Sequence, residues 1–262
     1  MVLKDIKEYV GLRKAEMKKK LEGMEFPPSL AIVQVGNNEA SNRYVRNKLK
    51  DCEEVGIAAH AYTYPTETTE YELVEEINHL ISFYDGVIVQ LPLPPHIRPE
   101  VALAAIPKEK DVDGFRCDSL FEPATPLGIM NYLEYCGFDL EGKEVVIIGR
   151  SDIVGKPLAR LMIAADATVT LCHSKSKLSN HLYRADLIIS AVGKEKFLNC
   201  YPIHVPVIDV GINFTEEGKL VGDCFNTDNR DVTPVPGGVG LLTRCSLLEN
   251  VILAKESGKH NG

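Results

Sequence analysis

Tyr44 and Lys48 stand four residues apart in the stretch 39–55, whose pattern predicts a helix, so a phenol and an amine share one helical face at interacting distance. A pair of that kind can pass a proton to or from a bound substrate. The same spacing occurs on ordinary amphipathic helices, so its company decides. Gln90-Leu91-Pro92-Leu93-Pro94 ends an apolar run that reads as a strand, and Lys110-Asp111-Val112-Asp113-Gly114-Phe115 lies in a turn-rich stretch beyond it. Strand ends and inter-domain clefts are where α/β proteins bind ligands, which makes Gln90 and Asp113 candidates beside the pair. The plain alternatives are an Asp113 that caps its own turn, a polar strand end at Gln90 and prolines that only stiffen loops.

A second group of residues suits a phosphate. Gly149-Arg150-Ser151-Asp152-Ile153-Val154-Gly155-Lys156-Pro157 directly follows a predicted strand and opens a predicted helix, where unpaired amides and the positive end of the helix dipole would face a ligand. Ser151 and Val154 occupy the second and third glycine positions of GxGxxG, so a glycine turn in a plain α/β domain is the competing reading. The next predicted strand ends in His173-Ser174-Lys175-Ser176, with no carboxylate where an NAD enzyme holds the ribose 2′-hydroxyl. Arg150, Ser174 and Lys175 supply donors and positive charge, which suits a 2′-phosphate and hence NADP. A solvated loop of small polar and basic residues is the bland alternative.

Strands at 30–35, 58–64, 86–90, 144–148, 168–172, 187–192 and 207–210 alternate with helices at 39–55, 69–83, 127–136, 154–164 and 177–184. That rhythm predicts parallel strands joined by crossover helices, an α/β fold. The proline-rich stretch from Pro107 to Pro126 breaks it, and the boundary between two domains is placed there. Residues 1–125, completed by a last helix at 242–258, form the first domain. Residues 126–241 form a Rossmann-type parallel-sheet domain, with a cleft expected between the two. Residues 213–222 read as a hairpin arm around Glu217-Gly218.

Composition narrows the function classes. The 262 residues are 45% hydrophobic and 25% charged, ordinary values for a globular enzyme. With 29 basic and 37 acidic residues the net charge is −8, which disfavours a nucleic-acid backbone or an anionic membrane as partner. Seven scattered cysteines without CxxC spacing suggest neither a disulfide framework nor a metal site. No apolar run approaches the ~18 residues of a membrane span, and the charged, helix-patterned N-terminus does not read as a signal peptide, so the expected location is cytoplasmic.

The YxxxK pair also occurs in short-chain dehydrogenases, but there the glycine-rich turn precedes it in the chain, and here the order is reversed. The ordered set ASNRYVRNKLKDCEEVG, VIVQLPLP, KDVDGF, PATPLGI, GRSDIVGKP, VIDVGIN and TPVPGGVG instead resembles the bifunctional methylenetetrahydrofolate dehydrogenase/cyclohydrolase family, from about Leu30 to the C-terminal helix. The resemblance implies an NADP-linked homodimer of one-carbon metabolism, feeding purine biosynthesis. Such an enzyme oxidises 5,10-methylenetetrahydrofolate and hydrolyses the methenyl product to 10-formyltetrahydrofolate. A shikimate-type dehydrogenase with the same two-domain layout is the alternative among enzymes, and a cofactor-binding module without turnover is the alternative outside them.

By the same match, Lys48 is the acid/base group of the hydrolytic step, Tyr44 packs on the folate and positions Lys48, and Gln90 holds the lysine head group. Asp113 accepts two N–H bonds from the pterin. Leu91, Pro92, Pro236, Gly237 and Gly240 complete the folate site. NADP falls to Gly149, Arg150, Ser151, Val154, Gly155, His173, Ser174, Lys175, Ala191, Gly193, Gly211, Ile212 and Thr233, and no metal is implied. The chain departs from the family in having Leu241-Leu242 for Pro-Met, Ala124 for Cys, a shorter loop between Phe115 and Pro123, and no evident opening strand.

Overall fold

The computed structural model describes residues 3–224 and 231–258, divided into two compact units. The first holds residues 12–124 and the chain from Arg244 onward; the second holds residues 1–11 and 125–243. The divisions fall within helix α1 (Ile6–Leu21), at the start of α5 (Ala124–Tyr135) and within α8 (Val239–Gly258). The first element among the described residues is α1.

The first unit is built on a three-stranded parallel sheet in the order β2-β1-β3, with β1 at Ser29–Val35, β2 at Ala58–Tyr64 and β3 at Gly86–Val89. Leu30, Ala31, Ile32 and Val33 of central β1 are fully buried, as expected of a parallel strand covered on both faces. Helix α2 (Glu39–Val55) spans the predicted segment because both ends are chemically marked: the Asn38 side chain accepts from the Ser41 amide, and Gly56 leaves the helix in the left-handed region at φ 92°. Helix α3 (Glu70–Leu80) starts at a Thr69/Glu72 capping box. Its Leu73, Ile77 and Leu80 pack with Ala31, Val33, Val87 and Val89 of the sheet and with Ala102 of the short α4 (Pro99–Ala104).

The second unit carries a four-stranded parallel sheet in the order β5-β4-β6-β7: β4 at Glu144–Ile148, β5 at Thr168–Cys172, β6 at Leu187–Ser190 and β7 at Val207–Asp209. The chain moves outward from β4 to β5, then returns across β4 to β6. That reversal creates a topological switch point at the C-terminal ends of β4 and β6, where doubly wound sheets take their ligands. Helices α6 (Gly155–Ala164) and α7 (Leu178–Leu182) supply the crossovers, and β8 (Asn213–Phe214) pairs with β9 (Leu220–Val221) as the expected hairpin.

Within this unit α5 and the first turn of α8 approach closely. A Cβ on Gly128 would lie 2.8 Å from both the carbonyl carbon and oxygen of Leu242, and the Thr125 and Thr243 hydroxyls bond at 2.8 Å. Tyr132 of α5, fully buried, donates to the Lys4 carbonyl at 2.6 Å. Overpacking such a backbone contact costs about 1–3 kcal/mol. Gly128→Ala is therefore expected to lower stability by about that amount, read as an earlier unfolding transition in denaturant, with wild-type stability as the contrary result.

Candidate active site

Helix α2 buries Ser41, Val45, Lys48, Asp51, Cys52 and Val55, a single stripe, so Lys48 sits among core positions rather than on a solvated face. It is 8% exposed, and its Nζ lies 3.7 Å from the carboxylate of Asp113, itself 5% exposed. Asp51, the other acid on this face, is already engaged: Lys14 Nζ reaches one of its oxygens at 2.5 Å and Arg244 Nη1 the other at 2.8 Å. Asp113 is thus left as the counter-charge of Lys48. Cys52 is no nucleophile, because burial, more than the nearby Asp51, pushes its thiol up to about 12. Tyr44, one turn before Lys48, is half-buried; burial raises its phenol above the ordinary range, and the Arg244 charge pulls it back.

Gln90 follows β3, its amide donating to the Val33 carbonyl at 2.8 Å. Its side-chain Nε2 turns to the Leu91 carbonyl at 2.8 Å, while Oε1 is buried with no hydrogen-bond partner. An orphaned buried acceptor costs about 1–3 kcal/mol unless something fills it. Leu91 is half-buried and Pro92, joined to it by a cis peptide bond, is exposed.

The loop that presents Asp113 is tied down on every side. Lys110 Nζ donates to the carbonyls of Ile81 and Tyr84 at 2.6 and 2.7 Å, and Asp111 pairs beside Val87 of β3. The Asp111 carboxylate, 1% exposed, accepts from the Arg116 amide at 2.8 Å; burial raises it, that amide lowers it, and the Asp113 charge raises it again. Val112 packs so tightly under Gly86 that a Cβ there would lie 2.8 Å from it. Asn250 Nδ2, from α8, bonds the carbonyls of Val112 and Glu122 at 2.9 and 3.0 Å.

In the second unit the glycines of the Gly149–Pro157 turn have a structural reason. A Cβ on Gly149 (φ 120°) would meet the Ala191 carbonyl oxygen at 2.4 Å, and one on Gly155 the Gly149 oxygen at 2.1 Å. The helix start differs from the sequence expectation of unpaired amides. The Ser151 hydroxyl faces the amides of Val154 and Gly155 at 3.2 and 3.4 Å, and the Ser151 carbonyl accepts from Lys156 at 3.1 Å. The serine in the second glycine position thus engages two amides of the first helical turn itself. Arg150, Ser174 and Lys175 are all exposed beyond β4 and β5, while the His173 ring accepts from the Lys175 amide at 3.2 Å. Gly193 (φ 67°) faces open space and Ile212 is exposed, whereas the Thr233 hydroxyl turns inward to accept from the Asp209 amide at 2.8 Å. Pro236 and Gly240 are exposed in the second unit, and Gly237 takes φ 93°.

A family model described as tetrahydrofolate dehydrogenase/cyclohydrolase, catalytic domain, matches residues 2–113, and another described as its NAD(P)-binding domain matches residues 123–259. The chain belongs to the tetrahydrofolate dehydrogenase/cyclohydrolase family. The bifunctional protein FolD of Campylobacter concisus is 45% identical over 270 residues, covering 96% of this chain and 94% of that protein. The solved bifunctional FolD of Campylobacter jejuni superposes with a TM-score of 0.91 at 42% identity, covering 97% of this chain and 98% of that one. The Trypanosoma brucei FolD structure, described as complexed with NADP cofactor and inhibitor, gives 0.89 at 30% identity and covers 98% of each chain. Membership decides against the shikimate-type reading.

Sequence reasoning on this dehydrogenase/cyclohydrolase chain missed the residues that act at one remove: Asp51, Asp111, Arg244 and Asn250 in the first unit, Asp209 and Asp223 in the second. Asp209 and Asp223 are fully buried. Burial pushes Asp209 up to about 6, against the amides of Cys224, Asp223 and Gly211 that hold it lower, and the Asp223 charge adds to the rise. A folded-state pKa above the unfolded value of about 3.9 means that the native state binds the proton more readily, so this group's contribution to stability falls as pH rises through about 6. Thermal unfolding of the wild type and Asp209→Asn from pH 4 to 7 should show the wild type's advantage shrinking with pH. A constant or growing advantage would contradict the assignment.

Proposed function

We propose that this chain oxidises 5,10-methylenetetrahydrofolate with NADP and hydrolyses the methenyl product to 10-formyltetrahydrofolate, within one-carbon metabolism. Two observations carry the reading: the buried Lys48–Asp113 pair, and the orphaned Gln90 Oε1 at the end of β3, a buried acceptor that a donor would satisfy and that is costly without one. The two Asp113 oxygens accept a pair of pterin N–H bonds and fix the ring. Tyr44 packs on the folate. Gln90 Oε1 takes the Lys48 ammonium when substrate draws it off Asp113.

In hydrolysis, water adds to the methenyl carbon and sheds a proton; the carbinol then opens by breaking its bond to N5, which gains a proton while the carbinol hydroxyl releases its own to solvent, leaving the formyl group on N10. Lys48 Nζ is the shuttle: as the amine it takes the first proton, and as the ammonium it returns one to N5.

The donor set beyond β4 and β5 fits a phosphorylated dinucleotide. Arg150, Ser174 and Lys175 would hold a 2′-phosphate, and Gly149, Ser151, Val154, Gly155, His173, Ala191, Gly193, Gly211 and Ile212 would hold the rest of the cofactor. NADP bound there supplies the hydride acceptor; the residues around it bind, orient and exclude water. Thr233, counted with them, also braces the backbone of Asp209 through its hydroxyl. The enzyme works as a cytoplasmic homodimer. Among the described residues no helix is long and apolar enough to cross a membrane, and no group of His, Cys, Asp and Glu is arranged to hold a metal.

Lys48→Met is expected to slow methenyl hydrolysis by at least about 100-fold, the usual scale of a lost acid/base group, while NADP binding persists. The decay of methenyltetrahydrofolate absorbance reads this directly, and wild-type decay would refute the role. Arg150→Ala should raise the KM for NADP about 10-fold or more, as for a lost charge-assisted hydrogen bond, with little change for NAD. Equal losses with both cofactors would remove the 2′-phosphate assignment.

A further inference from the structure

We infer that Asp223, together with Asp209, is a positioning residue for the dehydrogenase half-reaction: a sealed carboxylate clamp that holds the exits of β6 and β7 at the spacing NADP needs. Asp223 lies just past the β8–β9 hairpin, and its carboxylate gathers donors from two separate segments, the β6 exit at residues 190–194 and Asn213. Oδ2 accepts from the Ser190 hydroxyl at 2.7 Å and the Val192 amide at 2.9 Å; Oδ1 accepts from the Lys194 amide at 2.8 Å and Asn213 Nδ2 at 3.2 Å. Asp209 does the same one layer down, accepting from the amides of Gly211 at 2.9 Å, Asp223 at 3.0 Å and Cys224 at 2.7 Å.

Neither carboxylate can touch a ligand. Both are 0% exposed, and their covers are glycines with no room for a side chain. A Cβ on Gly211 would lie 2.2 Å from Asp223 Oδ1, and one on Gly222 would lie 2.1 Å from Asp209 Oδ2. What the clamp controls is the backbone on either side of it. Val192 and Lys194 bracket Gly193, and Gly211 precedes Ile212, so residues read above as cofactor contacts hang from these two side chains. Loops leaving parallel strands have no ladder partners for their amides; Asp223 takes those of the β6 exit, Asp209 takes that of the β7 exit together with the Asp223 amide itself, and the two carboxylates so linked leave the exits one relative placement.

The inference rests on the proposed NADP site. The catalytic partition supplies its test, because methenyl hydrolysis does not consume NADP. In Asp223→Asn the new amide nitrogen faces the Val192 amide or the Lys194 amide, donor against donor. The KM for NADP should rise about tenfold or more, the scale of one lost charge-assisted bond, while cyclohydrolase activity and the KM for methylenetetrahydrofolate stay within about twofold of wild type. Hydrogen exchange at Val192 and Lys194 should speed up in the same variant. If Asp223→Asn does not fold, Asn213→Ala removes a single donor from the clamp and should produce a smaller rise of the same kind.

A folded variant with wild-type NADP KM overturns the inference, as does an equal loss of both activities, which would mark a purely structural residue. Arg150→Ala is the control on the underlying reading. If it raises the NADP KM and Asp223→Asn does not, the clamp alone fails; if neither does, the cofactor site and the clamp fall together.

Discussion

An ammonium placed on the core-facing stripe of a helix must find its counter-charge inside the protein, and much of the first unit follows from that requirement. Lys48 is held among Val45, Cys52 and Val55, where an unpaired charge would be far more costly than any packing gain. Asp113 meets the need only because its loop cannot drift: Lys110, Asp111, Val112 and Asn250 each fix a different point of it. Asp51 could have neutralised the lysine from the same helix, but Lys14 and Arg244 saturate it. At 3.7 Å the surviving pair is close enough to compensate charge and too long for a strong hydrogen bond.

The second unit solves a different problem by related means. Its parallel strands deliver four backbone exits to one edge, where amides must find acceptors. At the β4 exit a serine hydroxyl does this, and at β6 and β7 buried carboxylates do. Glycine marks each place where these acceptors or carbonyls crowd the main chain, notably Gly155 and Gly211. The glycines of the motif are therefore explained first by strand–helix packing, and the ligand gains a backbone already set in place.

Much of this was legible beforehand where a local signal closed an element. Asn38 and Gly56 bracket α2, and the β-branched runs of β4 and β5 end where the strands end. Helix α8 starts earlier than expected, at Val239 in place of Leu242, because Pro236-Gly237-Gly238 reads as loop right up to the first turn. Helix α4 went unread: six residues after a proline carry too little periodicity to register. Among candidate site residues, Tyr44, Lys48, Gln90 and Asp113 could be picked out by type, spacing and company. Asp209 and Asp223 did not, since only a hairpin brings them together, and neither did Asn250, whose partners lie more than a hundred residues away.

Asn250 also bears on how the loop between Asp113 and Pro123 can vary. One amide group holds the carbonyls on both sides of it, the Ala124 amide reaches the Asp113 carbonyl at 3.2 Å, and Gly114 nests against the Pro123 nitrogen. The neck is closed independently of what it encloses, and the entropy of a closed loop grows only slowly with its length. Length can therefore vary at the tip of the loop, at residues 117–118, while the neck and the contacts of Arg116 and Ser119 to Asp111 keep Asp113 in place.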